Sequence, residues 1–201
     1  MASSILLAFA LLNFGFVLVL ATYIVTTLAY SLRLKKLPIV DVIALAGLYT
    51  LRVVAGAAAI SVPLSFWILT FAMFLFLSLA LMKRFSEIAE MRKSSESSPV
   101  RGRGYVRNDL ELVSSLGAAS GLIAVLVFML YVQDPKIAPL YASPAILWLT
   151  GPLLLTWIAR AWLIAHRGDM HEDPIVFAIR DRFSYLIAIA IGAVFVMASV
   201  L

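Results

Sequence analysis

The chain contains no cysteine, which excludes disulfides, thiolate metal sites and a cysteine nucleophile without identifying a compartment. Charge is scarce as well: 13% of the 201 residues are Asp, Glu, Lys or Arg, against 63% hydrophobic residues, and the mean hydropathy is +1.03. A water-soluble globule of this size cannot hide so much apolar surface, so the composition implies an integral membrane protein. The first apolar run also lacks the basic start of a signal peptide, and it continues past Leu20 through Ile24 and Val25 to Leu28. That length suits a retained span.

Six runs reach or approach the length needed to cross about 30 Å of hydrocarbon at about 1.5 Å per residue. They are Ile5–Leu28, Ile39–Ile60, Phe66–Met82, Val113–Val132, Ala145–Ala165 and Tyr185–Leu201. The expected fold is all-α, a single-domain polytopic membrane helical bundle of about six transmembrane helices over residues 1–201. Basic residues cluster in alternate connections: Arg33, Lys35 and Lys36 after the first span, Lys83, Arg84, Arg92, Lys93, Arg101, Arg103 and Arg107 after the third, and Arg167, Arg180 and Arg182 after the fifth. By the positive-inside rule these loops are cytoplasmic in a plasma-membrane protein, and both termini lie outside. The net charge of +5 then reflects orientation and attraction to anionic lipid. No soluble nucleic-acid-binding module is present.

Most carboxylates share the charged side, among them Asp41, Glu87, Asp109, Asp169, Glu172, Asp173 and Asp181; only Asp134 falls in an outer loop. The loop Ser94–Gly104 is small and polar, and its Arg101 and Arg103 suit either phosphate contact or topology. His166, Asp169, His171, Glu172 and Asp173 have the composition of a divalent-metal site or of an ordinary acidic loop. Within the spans, a charge in hydrocarbon costs roughly 2.5–3.5 kcal/mol, so Arg52 and Arg160 require explanation. Arg52 follows Asp41 by eleven residues, which returns it to nearly the same helical face. One stripe of Asp41, Leu45, Tyr49 and Arg52 is expected to face the bundle. Arg160 is close enough to the charged end of its helix to snorkel towards headgroups. Gly47, Gly56 and the neighbouring alanines make the second span thin, open to close approach by a helix or a lipid tail. Trp67, Trp148 and Trp162 fit interfacial belts.

Five separated strings, YSLRLKKLPIVDV from Tyr30, LRVVAGAAAISVPLS from Leu51, LALMKRFSEI from Leu79, RGYVRNDLELV from Arg103 and AHRGDMHEDPIVFAIRDR from Ala165, resemble the UbiA superfamily of intramembrane prenyltransferases. The likeness is to its decaprenyl-phosphate phosphoribosyltransferase-like branch. It implies a helical bundle around a lipid-open cavity, with Mg²⁺ bridging a pyrophosphate to aspartates at the cytoplasmic rim. The implied partners are an isoprenoid lipid in the membrane, with phosphoribosyl pyrophosphate or a prenyl pyrophosphate as donor. By the same resemblance Lys35, Lys36, Lys83 and Arg84 contact phosphate, with Arg52 a further substrate-binding residue. Tyr30 hydrogen-bonds donor or acceptor, and Asp41 and Glu87 take the metal or ribose.

The departures carry their own expectations. The family's nine spans and its early N-D-x-x-D motif imply that this chain corresponds to the part from the fourth span onward, without that motif. Asn108-Asp109-Leu110-Glu111 lacks the final aspartate, and Lys83, Arg84 and Glu87 stand where a second acidic motif belongs. The resemblance therefore implies a membrane transferase, moving phosphoribose to a polyprenyl phosphate or a prenyl group to an acceptor, whose metal-dependent step is expected to be lost in the chain alone. The alternative is a non-catalytic polyprenyl-lipid-binding or assembly subunit, completed by a partner polypeptide or by homo-oligomerisation.

Overall fold

Six helices long and apolar enough to cross a membrane dominate the computed structural model, which describes residues 14–93, 103–170 and 173–201. In chain order the helices are α1 (Phe14–Leu32), α2 (Val40–Ala59), α3 (Phe66–Lys93), α4 (Leu110–Val132), α5 (Thr150–Arg167), the short α6 (Pro174–Arg180) and α7 (Arg182–Val200). Single 3-10 turns at Leu34–Lys36, Arg107–Asp109 and Ala138–Leu140, and a longer one at Pro144–Leu149, join them. The all-α expectation holds among the described residues, where no strand occurs. The expected first span began at Ile5, and its first nine residues lie outside the described ones.

The element boundaries follow local chemistry. Gly168 ends α5 in the left-handed region at φ 79°, its N–H donating back to Ile164 and Ala165 carbonyls, a conformation that costs glycine least. Pro174 opens α6, with the Asp173 side chain accepting from the Ile175 N–H, and Asp181 accepts likewise from the Ser184 N–H at the start of α7. The third span corrects the expectation most: read as ending at Met82, it continues to Lys93 as a helix of 28 residues. Nothing in KRFSEIAEMRK breaks a helix, so the charged turns simply project beyond the apolar part.

α3 occupies the middle of the bundle, touching α2, α4, α5 and α6, while contacts between neighbours run α1–α2–α3–α4–α5–α7. A core around Val42, Met82, Phe85, Ile88, Val113 and Trp162 fills the end bearing the charged loops, and a second around Phe128, Leu147 and Val194 fills the opposite end. Close approach between helices occurs on α4. A Cβ on Gly117 would lie 2.2 Å from the Trp162 ring, and one on Gly121 2.6 Å from Ile158. Trp162 is therefore a buried core residue whose Nε1 donates to Ser78 Oγ at 3.1 Å, with Ser78 donating in turn to the Gly117 carbonyl at 2.7 Å. This corrects its expected place in an interfacial belt. The glycines of α2 also depart from expectation, since a Cβ at Gly47 or Gly56 would meet nothing within 4 Å. In the neighbouring α1, no residue of the apolar window is buried.

Candidate functional site

At the charged end of α3, Arg84 is only 1% exposed and Asp41, at the start of α2, is 0% exposed. A buried guanidinium and carboxylate require each other and further hydrogen bonds, and the arrangement supplies them. Arg84 Nε donates to Asp41 Oδ2 at 2.6 Å, Nη1 to Glu87 Oε2 at 2.7 Å and Nη2 to Tyr30 Oη at 3.4 Å. The second Asp41 oxygen accepts from Tyr105 Oη at 2.7 Å. Arg103 Nη1 approaches both Glu87 oxygens at 2.7 Å.

Tyr105 ties this cluster to the hinge between α1 and α2. Its hydroxyl accepts from the Ile39 N–H at 2.8 Å while donating to Asp41. Ile39 has φ 66°, and the Val40 N–H donates to the Pro38 carbonyl at 2.8 Å, which makes Pro38-Ile39-Val40 a γ-turn of the rare, strained kind. Gly104, at φ 73°, lets its segment lie against the hinge; a Cβ there would stand 2.9 Å from the Lys36 carbonyl. Burial and the hydrogen bond to Asp41 both push the Tyr105 phenol above its ordinary pKa, so at neutral pH it is a proton donor.

Beside the cluster a cleft opens between α2 and α3, walled by Leu45, Tyr49, Phe76, Leu79 and Ala80, with Lys83, Asp173 and Ile175 at its charged end. Lys83 forms an ion pair with Asp173. Lys35 and Lys36 sit in the 3-10 turn of the hinge, half-buried and exposed respectively, with no carboxylate partner among the described residues. The structure thus gathers Tyr30, Asp41, Lys83, Arg84 and Glu87 and sets Lys35 and Lys36 on the adjoining turn.

Arg52 departs from this group. The stripe begun by Asp41 turns outward, leaving Arg52 exposed. Its guanidinium takes Tyr23 Oη as acceptor at 2.8 and 3.2 Å and lies 4.8 Å over the Tyr49 ring. Arg160, expected to snorkel, does extend to the charged end, where it grips Asp181 with two nitrogens at 2.7 and 3.1 Å. Burial raises the Asp181 pKa, but the bonds from Arg160 and Ser184 outweigh it and hold the carboxyl below the usual range.

A metal role for Asp41 and Glu87 does not fit this geometry. Both Asp41 oxygens are engaged inside the protein, Oδ2 by a guanidinium, and Glu87 is held between two arginines. Among the described residues no group of three His, Asp or Glu could hold an ion. In the last charged loop, His171 and Glu172 lie outside the described residues, as does Arg101. His166 stacks on Phe85 with ring centroids 4.4 Å apart, and Arg103 is committed to Glu87. Sequence reasoning missed Tyr105, Arg103 as the partner of Glu87, and Asp173 as the partner of Lys83. The one available signal was that Tyr105 lies in a quoted string rich in charge.

Fold and cluster together define a polytopic membrane protein of the helical-bundle class, with most of its ionisable side chains gathered at one end of the spans. The model of the UbiA prenyltransferase family matches residues 1–187, and the chain belongs to that family. It is 38% identical over 189 residues to protein y4nM of Sinorhizobium fredii, covering 94% of this chain and 36% of that one. Nodulation protein NoeC of Azorhizobium caulinodans is 32% identical over 182 residues, 88% of this chain and 58% of NoeC. Decaprenyl-phosphate phosphoribosyltransferase of Mycobacterium tuberculosis is 29% identical over 182 residues, 86% of this chain and 55% of that enzyme. The chain therefore spans 36–58% of the length of these three relatives.

Proposed function

We propose that the chain serves phosphoribosyl transfer from phosphoribosyl pyrophosphate to a polyprenyl phosphate at the cytoplasmic face of the plasma membrane. The observation carrying this reading is the junction of a cation-rich hinge and cluster with an apolar cleft running along α2 and α3. On this reading the lipid phosphate sets its headgroup beside Lys83, with Lys35 and Lys36 on the hinge turn, and only the start of its tail meets Leu45, Tyr49 and Phe76. Likeness to the mycobacterial enzyme supports the phosphoribosyl branch over prenyl transfer to another acceptor.

In the reaction a phosphate oxygen of the lipid attacks C1 of the ribose, forming the new C–O bond as the bond to pyrophosphate breaks. Lysines at the rim stabilise the charge that collects on the departing pyrophosphate. Asp41, Glu87 and Tyr105 act one layer back, fixing Arg84 and the hinge that carries Lys35 and Lys36. No step is assigned to Mg²⁺, for which these carboxylates are unsuited.

A second reading has its own observation. Every carboxylate in the described cluster already faces a cation, as in a lipid-binding or assembly subunit completed by a partner chain. One experiment separates the two: purified, folded chain is incubated with radiolabelled phosphoribosyl pyrophosphate and a polyprenyl phosphate, in Mg²⁺ buffer and in EDTA. Labelled lipid is the expected product. Lipid binding without product would reject solitary transferase activity and favour the subunit.

A further inference from the structure

The short helix α6 is tied at both ends by carboxylates, and the two ties differ in strength. At its C-terminal end Asp181 accepts two bonds from Arg160 and two from Ser184, at 2.9 and 3.0 Å. The Arg160 guanidinium also lies 4.6 Å over the Phe183 ring and 5.9 Å over that of Phe177. At the other end, Asp173 Oδ1 caps α6 by accepting from the Ile175 N–H at 3.0 Å, and Oδ2 binds Lys83, its one partner among the described residues. That ion pair is partly open to solvent, with side-chain exposures of 36% for Lys83 and 28% for Asp173. Pairs so exposed contribute little to stability and are readily exchanged.

Lys83, Asp173 and Ile175 together form the charged end of the cleft. A phosphate entering there meets a carboxylate already seated on the cation it needs. The phosphate brings more acceptor oxygens and more charge than one carboxylate, so it competes well for the ammonium group. On the lipid-phosphate reading above, we infer that Asp173 is an exchangeable counter-ion. An arriving phosphate takes Lys83 from Asp173, and α6, then held at that end by the packing of Pro174 and Ile175, swings off the mouth of the cleft about its Asp181 end. Asp173 is thus a positioning residue that couples headgroup arrival to opening. The same chemistry would serve a lipid phosphate or a free pyrophosphate.

The absence of cysteine makes the test direct. Val176, 38% exposed on α6, is replaced by Cys and spin-labelled in the full chain in detergent, then titrated with farnesyl phosphate and separately with inorganic pyrophosphate. Affinities are measured calorimetrically. Asp173→Asn keeps an acceptor for the helix cap but removes the charge. It is expected to tighten binding of at least one probe threefold or more, with its label mobile before ligand is added. In the unsubstituted background the label should become mobile only on binding, and Lys83→Met should weaken binding tenfold or more. Equal affinity with and without Asp173→Asn, or an immobile label at saturation, overturns the exchange. A purely structural role for Asp173 would lower thermal stability without tightening binding. Failure of both probes to bind any folded variant overturns the lipid-phosphate reading itself, and the exchange with it. Response to farnesyl phosphate alone identifies the lipid headgroup as the trigger, and response to pyrophosphate alone identifies the free anion; either supports the exchange.

Discussion

Arg84 remains charged at 1% exposure because each of its three nitrogens has an acceptor, two of them carboxylates. Removing one member of such a buried set strands the other, at about 3–5 kcal/mol. Arg84→Leu should therefore lower stability by about that amount in thermal unfolding, while Arg84→Leu with Asp41→Asn should lose less than the sum of the two single changes. Strict additivity would show that the pair is not coupled. At Asp181 the folded carboxyl lies below its ordinary pKa, so its contribution is complete above the unfolded value of about 3.9 and is lost as pH falls through the folded value. Melting temperature should drop below about pH 4 in the natural chain. In Asp181→Asn, which retains a cap, that part of the acid sensitivity should disappear. Asp41, Arg84 and Glu87 were legible in the sequence through the family resemblance, as phosphate, metal or ribose contacts, and the structure pairs them with one another. Tyr105 was not, because its partner Asp41 lies 64 residues away and an aromatic residue near a membrane surface has many ordinary uses.

Among the elements, α4 and α5 meet at a seam that only the smallest residue permits. Gly117→Ala would drive a Cβ to 2.2 Å from Trp162, and overpacking of this kind costs about 1–3 kcal/mol. Gly47→Ala, facing open space on α2, should cost nothing measurable. Equal melting temperatures for the two variants would refute the seam. Composition alone had pointed to α2 as the thin helix, since that is where the small residues are most dense. Density of small residues does not say which helix has a neighbour on that face. The charged extension of α3 was hidden for a related reason: hydropathy marks where a helix leaves the membrane, and helix propensity marks where it stops.

For the molecule as a whole, the alternation of basic and uncharged connections predicts a single orientation in the bilayer. Val62 and Val106, 52% and 50% exposed, stand in connections of opposite kind. In intact cells a membrane-impermeant maleimide should label Val62→Cys and spare Val106→Cys until the membrane is opened. The reverse pattern would invert the topology. Arg52 shows the limit of helical periodicity at this scale. Its eleven-residue spacing from Asp41 placed it near the same face, but which part of that face is covered depends on how far α1 and α3 extend along α2.

Span number, helical class and the position of the ionisable end follow from composition and periodicity, because the cost of polar groups in hydrocarbon acts on each residue independently of its distant neighbours. Engagement of Asp41 by Arg84 and Tyr105, the grip of Asp173 on Lys83 and the outward turn of Arg52 belong to the packed bundle. Each depends on which helices are adjacent and at what depth they meet, a relation between distant segments that no local pattern encodes.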